Sequence, residues 1–259
     1  MGTKSFFIDT TKCTACRACQ VACKQWNELP AEKTTNRGTY QNPPDLSSQT
    51  YTLVRFSEIL EDGKMKWYFF KDQCRHCISP PCMIEADNQN IPGAIIQDET
   101  GAVVYDHQKT KQLDFAKIKE SCPYNIPRVN PKTRTISKCT MCVDRVTNGL
   151  LPACVKACPT GTAQFGEREE MLNKAKERVN ELKPLYPEAK ILDEEEVSIL
   201  YLIVDKPSLY QIAVRPNNSS LLALKTLFKP LSVLGIGAAL LCQLPSLCQS
   251  LRQKEMRKD

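Results

Sequence analysis

The sequence predicts an α+β fold, rich in loops and built of two nested cysteine-rich modules, that ends in a single C-terminal transmembrane helix. Twelve of its 14 cysteines fall between residues 13 and 158, mostly two or three residues apart. Short apolar runs on either side of turn sequences indicate pairs of small strands. Residues 230–251 form an uncharged segment of 22 residues, and about 20 are enough to cross a hydrocarbon core.

The first cysteine run, CTACRACQVAC, indicates which chemistry the cysteines perform. Cys13, Cys16, Cys19 and Cys23 have the C-x2-C-x2-C-x3-C spacing of bacterial ferredoxins. In that motif three thiolates bind one iron–sulfur cluster, and the fourth binds the other cluster of a two-cluster fold. Proline follows Cys122 and Cys158, as it does at the end of the same motif. The spacing therefore predicts bacterial-ferredoxin-like modules that bind [4Fe-4S] clusters.

Disulfides and zinc are the alternative uses of these cysteines. The N-terminal sequence MGTKSFFIDTTKC lacks the apolar region and cleavage site of a secretory signal, which disfavours a disulfide scaffold. Zinc ribbons pair two cysteine turns, and Cys139 and Cys142 could pair in this way with Cys154 and Cys158. Zinc does not account for the first run. A zinc-stabilised, membrane-anchored interaction module is therefore kept as the alternative from a different functional class.

Defects in the later cysteine runs predict how the cysteines pair. The run CRHCISPPC supplies only a triplet, because Ala86 stands where its fourth ligand is expected. Conversely, Cys122 is a lone fourth ligand, since Gln112, Phe115 and Ile118 occupy the positions of the triplet that would precede it. Pairing the first run with the last, and the triplet with Cys122, uses every cysteine. The other two pairings leave cysteines without a complete set.

Three complete ligand sets result, and a fourth cluster is absent as a unit. The sets are Cys13, Cys16, Cys19 and Cys158 for cluster 1; Cys139, Cys142, Cys154 and Cys23 for cluster 2; and Cys74, Cys77, Cys82 and Cys122 for cluster 3. The nesting predicts a first ferredoxin-like module of residues 1–71 and 133–170, which binds two clusters. Residues 72–132 are predicted to form an inserted ferredoxin-like module with one cluster.

Several elements outside the cysteine runs are predicted from hydrophobic patterns. Residues 50–70 and 93–105 each indicate two strands around a turn. Residues 167–183 indicate a helix with an apolar face, formed by Leu172, Ala175, Val179 and Leu182. VSILYLIV is expected to be a buried strand. Residues 171–215 are thus predicted to form a helix–strand extension that packs on the core.

Four segments identify the family that the chain resembles: YQNPPD, CRHCISPPC, SCPYNIPRVN and KCTMCVDRVTNGLLPACVKACPTGTAQFG. Together they resemble the iron–sulfur beta subunit of molybdenum- or tungsten-dependent formate dehydrogenases, over most of residues 3–215. The chain looks like the three-cluster type of this subunit. Related subunits serve other molybdopterin oxidoreductases and some hydrogenases, which remain alternatives. The resemblance also implies two ferredoxin-like modules, one inserted in the other.

Net charge and the absence of catalytic motifs indicate a non-catalytic chain. The formal charge of +6 is nearly cancelled by three oxidised clusters of about −2 each, so no nucleic acid partner is expected. The Lys-rich segment 107–120 is predicted to be a solvated helix face. No haem-attachment motif, phosphate-binding loop or nucleophile–base arrangement is found. His76 is expected to neighbour the ligands or lie at the surface.

The C-terminal residues 216–259 are predicted to form a membrane-anchor helix followed by a basic tail; an amphipathic or protein-docked helix is the alternative. Cys242 and Cys248 are expected to be apolar residues of this helix. Four basic residues near the C-terminus favour a cytoplasmic tail and a periplasmic cluster domain. Because no signal peptide is found, the resemblance implies that the chain is exported folded, with a catalytic partner that carries the twin-arginine signal.

The sequence therefore predicts an electron-transfer subunit. Its expected partners are a molybdenum- or tungsten-pterin catalytic subunit, membrane lipid, and either a membrane cytochrome b or a cytochrome c. The resemblance implies that clusters 1 and 2 face the catalytic subunit, with cluster 3 as the exit. An electron-transfer chain cannot tolerate a gap in its middle, so the lost cluster is expected to be the terminal one.

Overall fold

Residues 3–212 are described by the computed structural model, and they contain ten strands and six α-helices. The elements follow one another as β1 (Lys4–Asp9), α1 (Ala18–Trp26), β2 (Leu53–Glu61), β3 (Lys64–Asp72), α2 (Pro81–Asn88), β4 (Ile95–Gln97), β5 (Val103–Tyr105), α3 (Phe115–Ser121), β6 (Arg128–Val129), β7 (Ile136–Ser137), α4 (Val143–Val146), α5 (Ala153–Lys156), β8 (Ala163–Glu167), α6 (Arg168–Leu182), β9 (Lys190–Leu192) and β10 (Ile199–Ile203). Most are short, and long loops connect them.

The largest sheet has four strands in the order β8-β1-β10-β9. Strand β1 pairs in parallel with β10, so that Phe6 lies opposite Ile199, and antiparallel with β8. All five residues of β10 are buried, as predicted for VSILYLIV. The strands β1 and β8 were not predicted. Strand β1 lies in the middle of the sheet and β8 at its edge, and their pairing brings the beginning of the chain beside residues 163–167.

The two faces of this sheet pack against different parts of the chain, because alternate side chains of a strand point to opposite faces. Phe7, Leu200 and Leu202 pack in one apolar cluster with α6. Phe6, Ile8 and Tyr201 pack in another, which includes Met141 and Cys154. The sheet therefore separates helix α6 from the cysteine-rich side of the protein.

Both predicted hairpins are present. Strands β2 and β3 pair antiparallel along their whole length around Asp62 and Gly63, whose φ angles are +50° and +71°. Two successive residues with positive φ are typical of the type I′ turn that joins two-residue hairpins. The second hairpin pairs β4 with β5, and Gly101 in its connection has a φ of +87°.

Helix α6 closely matches its prediction. Ala175, Val179 and Leu182 are buried as expected, but Met171 is the fourth buried residue and Leu172 is only partly buried. The Lys-rich segment is less regular than predicted. It forms a 3-10 helix over Lys109–Gln112 and then helix α3, whose N-terminus is capped by the Asp114 carboxylate.

Within residues 3–212, no helix is long and apolar enough to cross a membrane. The segment predicted to do so, residues 230–251, lies outside the described residues.

Candidate iron–sulfur centres

Four thiols predicted to bind cluster 3 line a single cavity: those of Cys74, Cys77, Cys82 and Cys122. Cys74 and Cys77 follow β3 in a tight turn, in which His76 has a φ of +48°. Cys82 lies in the first turn of α2, which begins at Pro81, and Cys122 directly follows α3. Helices α2 and α3 contact each other, so that the lone cysteine and the triplet meet.

A second cavity is lined by the four thiols predicted for cluster 1: Cys13, Cys16, Cys19 and Cys158. Ala15 and Arg17 stand between the first three cysteines with φ angles of +54° and +63°. These left-handed residues make the tight turn that directs three neighbouring thiols inward. Cys16 is exposed, so this cavity lies near the protein surface.

The thiols predicted for cluster 2 also lie close to one another. Cys23 is on α1 and Cys154 is on α5, two helices in contact. Burial raises the pKa of the Cys23 thiol well above its ordinary value, and the neighbouring Cys139, Cys154 and Cys142 raise it further. Cys139 and Cys142 are both buried.

Backbone N–H groups point at several of these sulfur atoms. The N–H of His76 donates to Cys74 Sγ, and that of Met141 donates to Cys139 Sγ, each at 3.4 Å. The side-chain amide of Asn27 donates to Cys23 Sγ at 3.7 Å. Hydrogen bonds to sulfur stabilise its negative charge and help to set the potential of an iron–sulfur cluster.

Burial leaves most of these thiols poor acids. It raises the pKa of Cys19 and Cys139 to about 12, and that of Cys122 and Cys142 to about 11. Cys158 is the exception, because hydrogen bonds from backbone N–H groups, first that of Ala163, outweigh its burial and lower its pKa. Coordination to a metal deprotonates a thiol outright. The donor set therefore suits metal coordination better than free thiolate chemistry.

Six buried side-chain atoms lack a hydrogen-bond partner within residues 3–212, among them Gln73 Nε2 and His76 Nε2. His76 is completely buried, which rules out the predicted surface position, and its Nδ1 accepts from the Val103 N–H at 2.9 Å. Tyr105 adjoins the cluster 3 cavity, where burial and the Cys82 thiol raise its pKa. Buried polar groups normally find partners, and the sulfur atoms of a cluster would provide an acceptor here.

The buried cations beside these cavities were not predicted. Lys71 lines the cluster 1 cavity, and both Lys138 and Arg75 line the cluster 3 cavity. Arg75 contacts the Asp72 carboxylate at 3.6 Å and stacks 4.3 Å from the Tyr201 ring. In the sequence, the only indication that these lysines lie near the clusters is their position. Lys138 directly precedes Cys139, and Lys71 stands three positions before Cys74.

Among the described residues, no three Cys, His, Asp or Glu side chains converge on a point where one metal ion could bind. Eight of the twelve thiols instead surround two cavities in groups of four. Together with the ferredoxin cysteine spacing, this arrangement defines the class of protein: an iron–sulfur electron carrier.

Comparison with known proteins supports this class and gives the family. Residues 65–168 match the family model of a 4Fe-4S dicluster domain. The chain is 51% identical over 211 residues to formate dehydrogenase 2 subunit beta (cytochrome c-553) of Nitratidesulfovibrio vulgaris, covering 80% of this chain and 96% of the relative. It is 41% identical over 239 residues to the formate dehydrogenase-O iron-sulfur subunit of Escherichia coli, covering 89% and 78%.

The similarity is lower, 31% over 195 residues, to the hydrogenase-2 operon protein HybA of Escherichia coli O157:H7, with 71% of this chain and 57% of the relative covered. The chain therefore belongs to the family of formate dehydrogenase iron–sulfur (beta) subunits. It is a ferredoxin-like protein of mixed α and β structure and serves as a non-catalytic electron-transfer subunit. The zinc-stabilised interaction module is not favoured.

Proposed function

We propose that this subunit binds three [4Fe-4S] clusters through the three ligand sets and passes single electrons along them. The observation that carries the proposal is the cavity shared by the triplet Cys74, Cys77 and Cys82 with the distant Cys122. Each cluster would be fixed by four thiolates, and hydrogen bonds and burial would tune its potential. The two nested modules, residues 1–71 with 133–170 and residues 72–132, belong to the same proposal.

The contacts among the thiols support a linear order with cluster 2 in the middle. Cys19 of the first set interacts electrostatically with Cys154 of the second. Cys74 of the third set packs in one apolar cluster with Cys23 and Cys139 of the second. Electrons would therefore pass between clusters 1 and 3 through cluster 2.

The position of Ala86 supports the hypothesis that the lost cluster was terminal. Ala86 packs in an apolar cluster with Ile118 and Cys82. Cys82 belongs to the proposed cluster 3, and none of the described residues in this apolar cluster is a ligand of clusters 1 or 2. The vacated position therefore adjoins the end of the proposed order, where a missing cluster leaves the remaining electron path continuous.

The proposed partners are a molybdenum- or tungsten-pterin catalytic subunit at clusters 1 and 2 and a cytochrome at cluster 3. Membership of a family of formate dehydrogenase beta subunits supports a catalytic partner. The name of the Nitratidesulfovibrio vulgaris relative includes cytochrome c-553, which supports a cytochrome c as the exit partner. A membrane cytochrome b is the second candidate, because the uncharged segment 230–251 is long enough to cross a membrane.

Membrane attachment through residues 216–259, with a periplasmic cluster domain and a cytoplasmic C-terminus, completes the proposal. The uncharged segment 230–251 and the basic residues after it support this orientation. Export would take place together with the folded catalytic subunit.

Co-purification with the catalytic subunit tests the proposed function. The complex should be brown, should contain about 12 irons in this subunit, from three clusters of four, and should reduce a dye when formate is added. A colourless, zinc-containing subunit would contradict the cluster assignment. Clusters that formate does not reduce in the complex would contradict the assignment to formate.

A further inference from the structure

Lys71 is a buried cation with no carboxylate partner. Only 3% of its surface is exposed, and its ammonium donates a hydrogen bond to the neutral side chain of Gln73. No ion pair found within residues 3–212 includes Lys71. Burying a charge is costly unless an opposite charge lies nearby. A negative group other than a carboxylate must therefore balance this lysine.

Thiols of two different ligand sets lie around Lys71. Lys71 lines the cavity formed by the thiols of cluster 1. It also interacts electrostatically with Cys154 and Cys139, two ligands proposed for cluster 2. Its position near the end of β3, just before Cys74, holds the side chain inside the core rather than at the surface.

Lys138 has the same character beside another cluster. It is 5% exposed, donates to the backbone carbonyl of Cys139 at 2.9 Å and lies 4.6 Å from the centre of the Tyr105 ring. It lines the cluster 3 cavity and interacts electrostatically with Cys82. Arg75 differs from both lysines, because Asp72 compensates its charge.

We propose that the fixed positive charge of Lys71 raises the reduction potentials of clusters 1 and 2 together. Lys138 acts in the same way, mainly on cluster 3. This inference rests on the ligand sets proposed above. Reduction changes the charge of a [4Fe-4S] cluster with four thiolates from about −2 to about −3. A nearby cation stabilises the more negative, reduced state, and low dielectric strengthens the effect. The two clusters that share Lys71 would thus be favoured together as electron acceptors.

The test is a redox titration of the complete complex, monitored by electron paramagnetic resonance. The original protein is compared with the variants Lys71→Met, Lys71→Arg and Lys138→Met. The signal absent from a Cys122→Ser variant identifies cluster 3. Lys71→Met should lower the equilibrium constant for reduction of clusters 1 and 2 at least tenfold. This corresponds to a fall in reduction potential of about 59 mV for one electron, and the change at cluster 3 should be smaller. Lys71→Arg should restore the original potentials, and Lys138→Met should affect cluster 3 most.

Unchanged potentials in Lys71→Met, or an equal shift of all three, would overturn the inference. If Lys71→Met does not retain iron, the Lys71→Arg variant distinguishes the two explanations. Iron content and potentials in Lys71→Arg that match the original protein support a role of the charge. Loss of iron in both variants assigns Lys71 a structural role and overturns the inference. Fewer than about 12 irons in the original subunit would instead contradict the three-cluster proposal. Iron content therefore separates failure of the proposed function from failure of the inference about Lys71.

Discussion

Ala86 and Ile118 are both completely buried, and they pack in the same apolar cluster where helices α2 and α3 meet. Ala86 occupies the position at which the CRHCISPPC run lacks its fourth ligand. Ile118 occupies one of the three positions before Cys122 at which a triplet of cysteines would be expected. Phe115, at another of those positions, packs against the same cluster. Apolar side chains therefore occupy the positions at which the cysteine runs lack ligands.

Ile118→Ala should destabilise the subunit, because it leaves a cavity in this apolar cluster. Removing a buried Ile side chain in this way typically costs about 2–5 kcal/mol. Ile84→Ala is the matched control, since Ile84 lies on the neighbouring helix α2 and is 51% exposed. Anaerobic thermal unfolding should show a clear fall in midpoint for Ile118→Ala and little change for Ile84→Ala. Similar midpoints for the two variants would mean that this apolar cluster contributes little to stability.

Cys122→Ser should remove one cluster and leave the other two. Cys122 is the only ligand of the proposed cluster 3 that is distant in sequence from its triplet, and it shares their cavity. The iron content should fall from about 12 to about 8 atoms per subunit, and the fully reduced variant should show one fewer paramagnetic signal. Cys248→Ser is the control and should retain all the iron, because Cys248 lies in the predicted anchor segment. Loss of iron from both variants, or from neither, would contradict the ligand sets.

Local patterns predicted much of the secondary structure. The hairpin β2–β3 could be found because its turn residues, Asp62 and Gly63, suit a tight reversal, and β10 because its run is continuously apolar. The strands β1 and β8 were missed because their pairing depends on partners far along the chain. One residue of the apolar face of α6 was predicted wrongly, since tertiary packing buried Met171 more deeply than Leu172.

The cysteine groups could be predicted more fully than the environment around them. Spacing and the substitutions at Ala86 and around Cys122 were enough to propose which thiols come together. The burial of Lys71 and Lys138 could not be predicted, because a lysine near a strand end normally faces solvent. Only the three-dimensional arrangement shows that these ammonium groups lie among thiols instead of carboxylates.

Asp45 should stabilise the fold near neutral pH and lose this effect in acid. Its carboxylate accepts hydrogen bonds from Arg55 at 2.7 Å and Arg128 at 2.6 Å, linking residues far apart in sequence. Burial alone raises the pKa of Asp45, but the bonds to these arginines outweigh it and lower that pKa. A lowered folded-state pKa means that the stabilisation is present above the unfolded value of about 3.9 and disappears as pH falls through the folded value.

Asp45→Asn should therefore lower the unfolding midpoint at pH 7, and the difference from the original protein should shrink as the pH falls below about 4. Anaerobic unfolding of both proteins over a series of pH values measures this difference in midpoint. Any loss of clusters in acid affects both proteins and therefore does not change the comparison. Glu188→Gln is the control, because Glu188 is an exposed carboxylate. A difference that remains constant with pH would mean that the charge of Asp45 does not contribute.

Removing residues 216–259 should release the subunit from the membrane without removing its clusters. The predicted anchor, residues 230–251, contains none of the proposed ligands, and all twelve of these cysteines lie within the described residues. When the truncated chain is produced with its catalytic partner, it should leave the membrane fraction and retain about 12 irons. As a matched control, Cys242→Ser with Cys248→Ser in the full chain should remain in the membrane fraction. A truncated chain that still sediments with membranes, in cells where no cytochrome b partner is produced, would show that residues 216–259 are not the anchor.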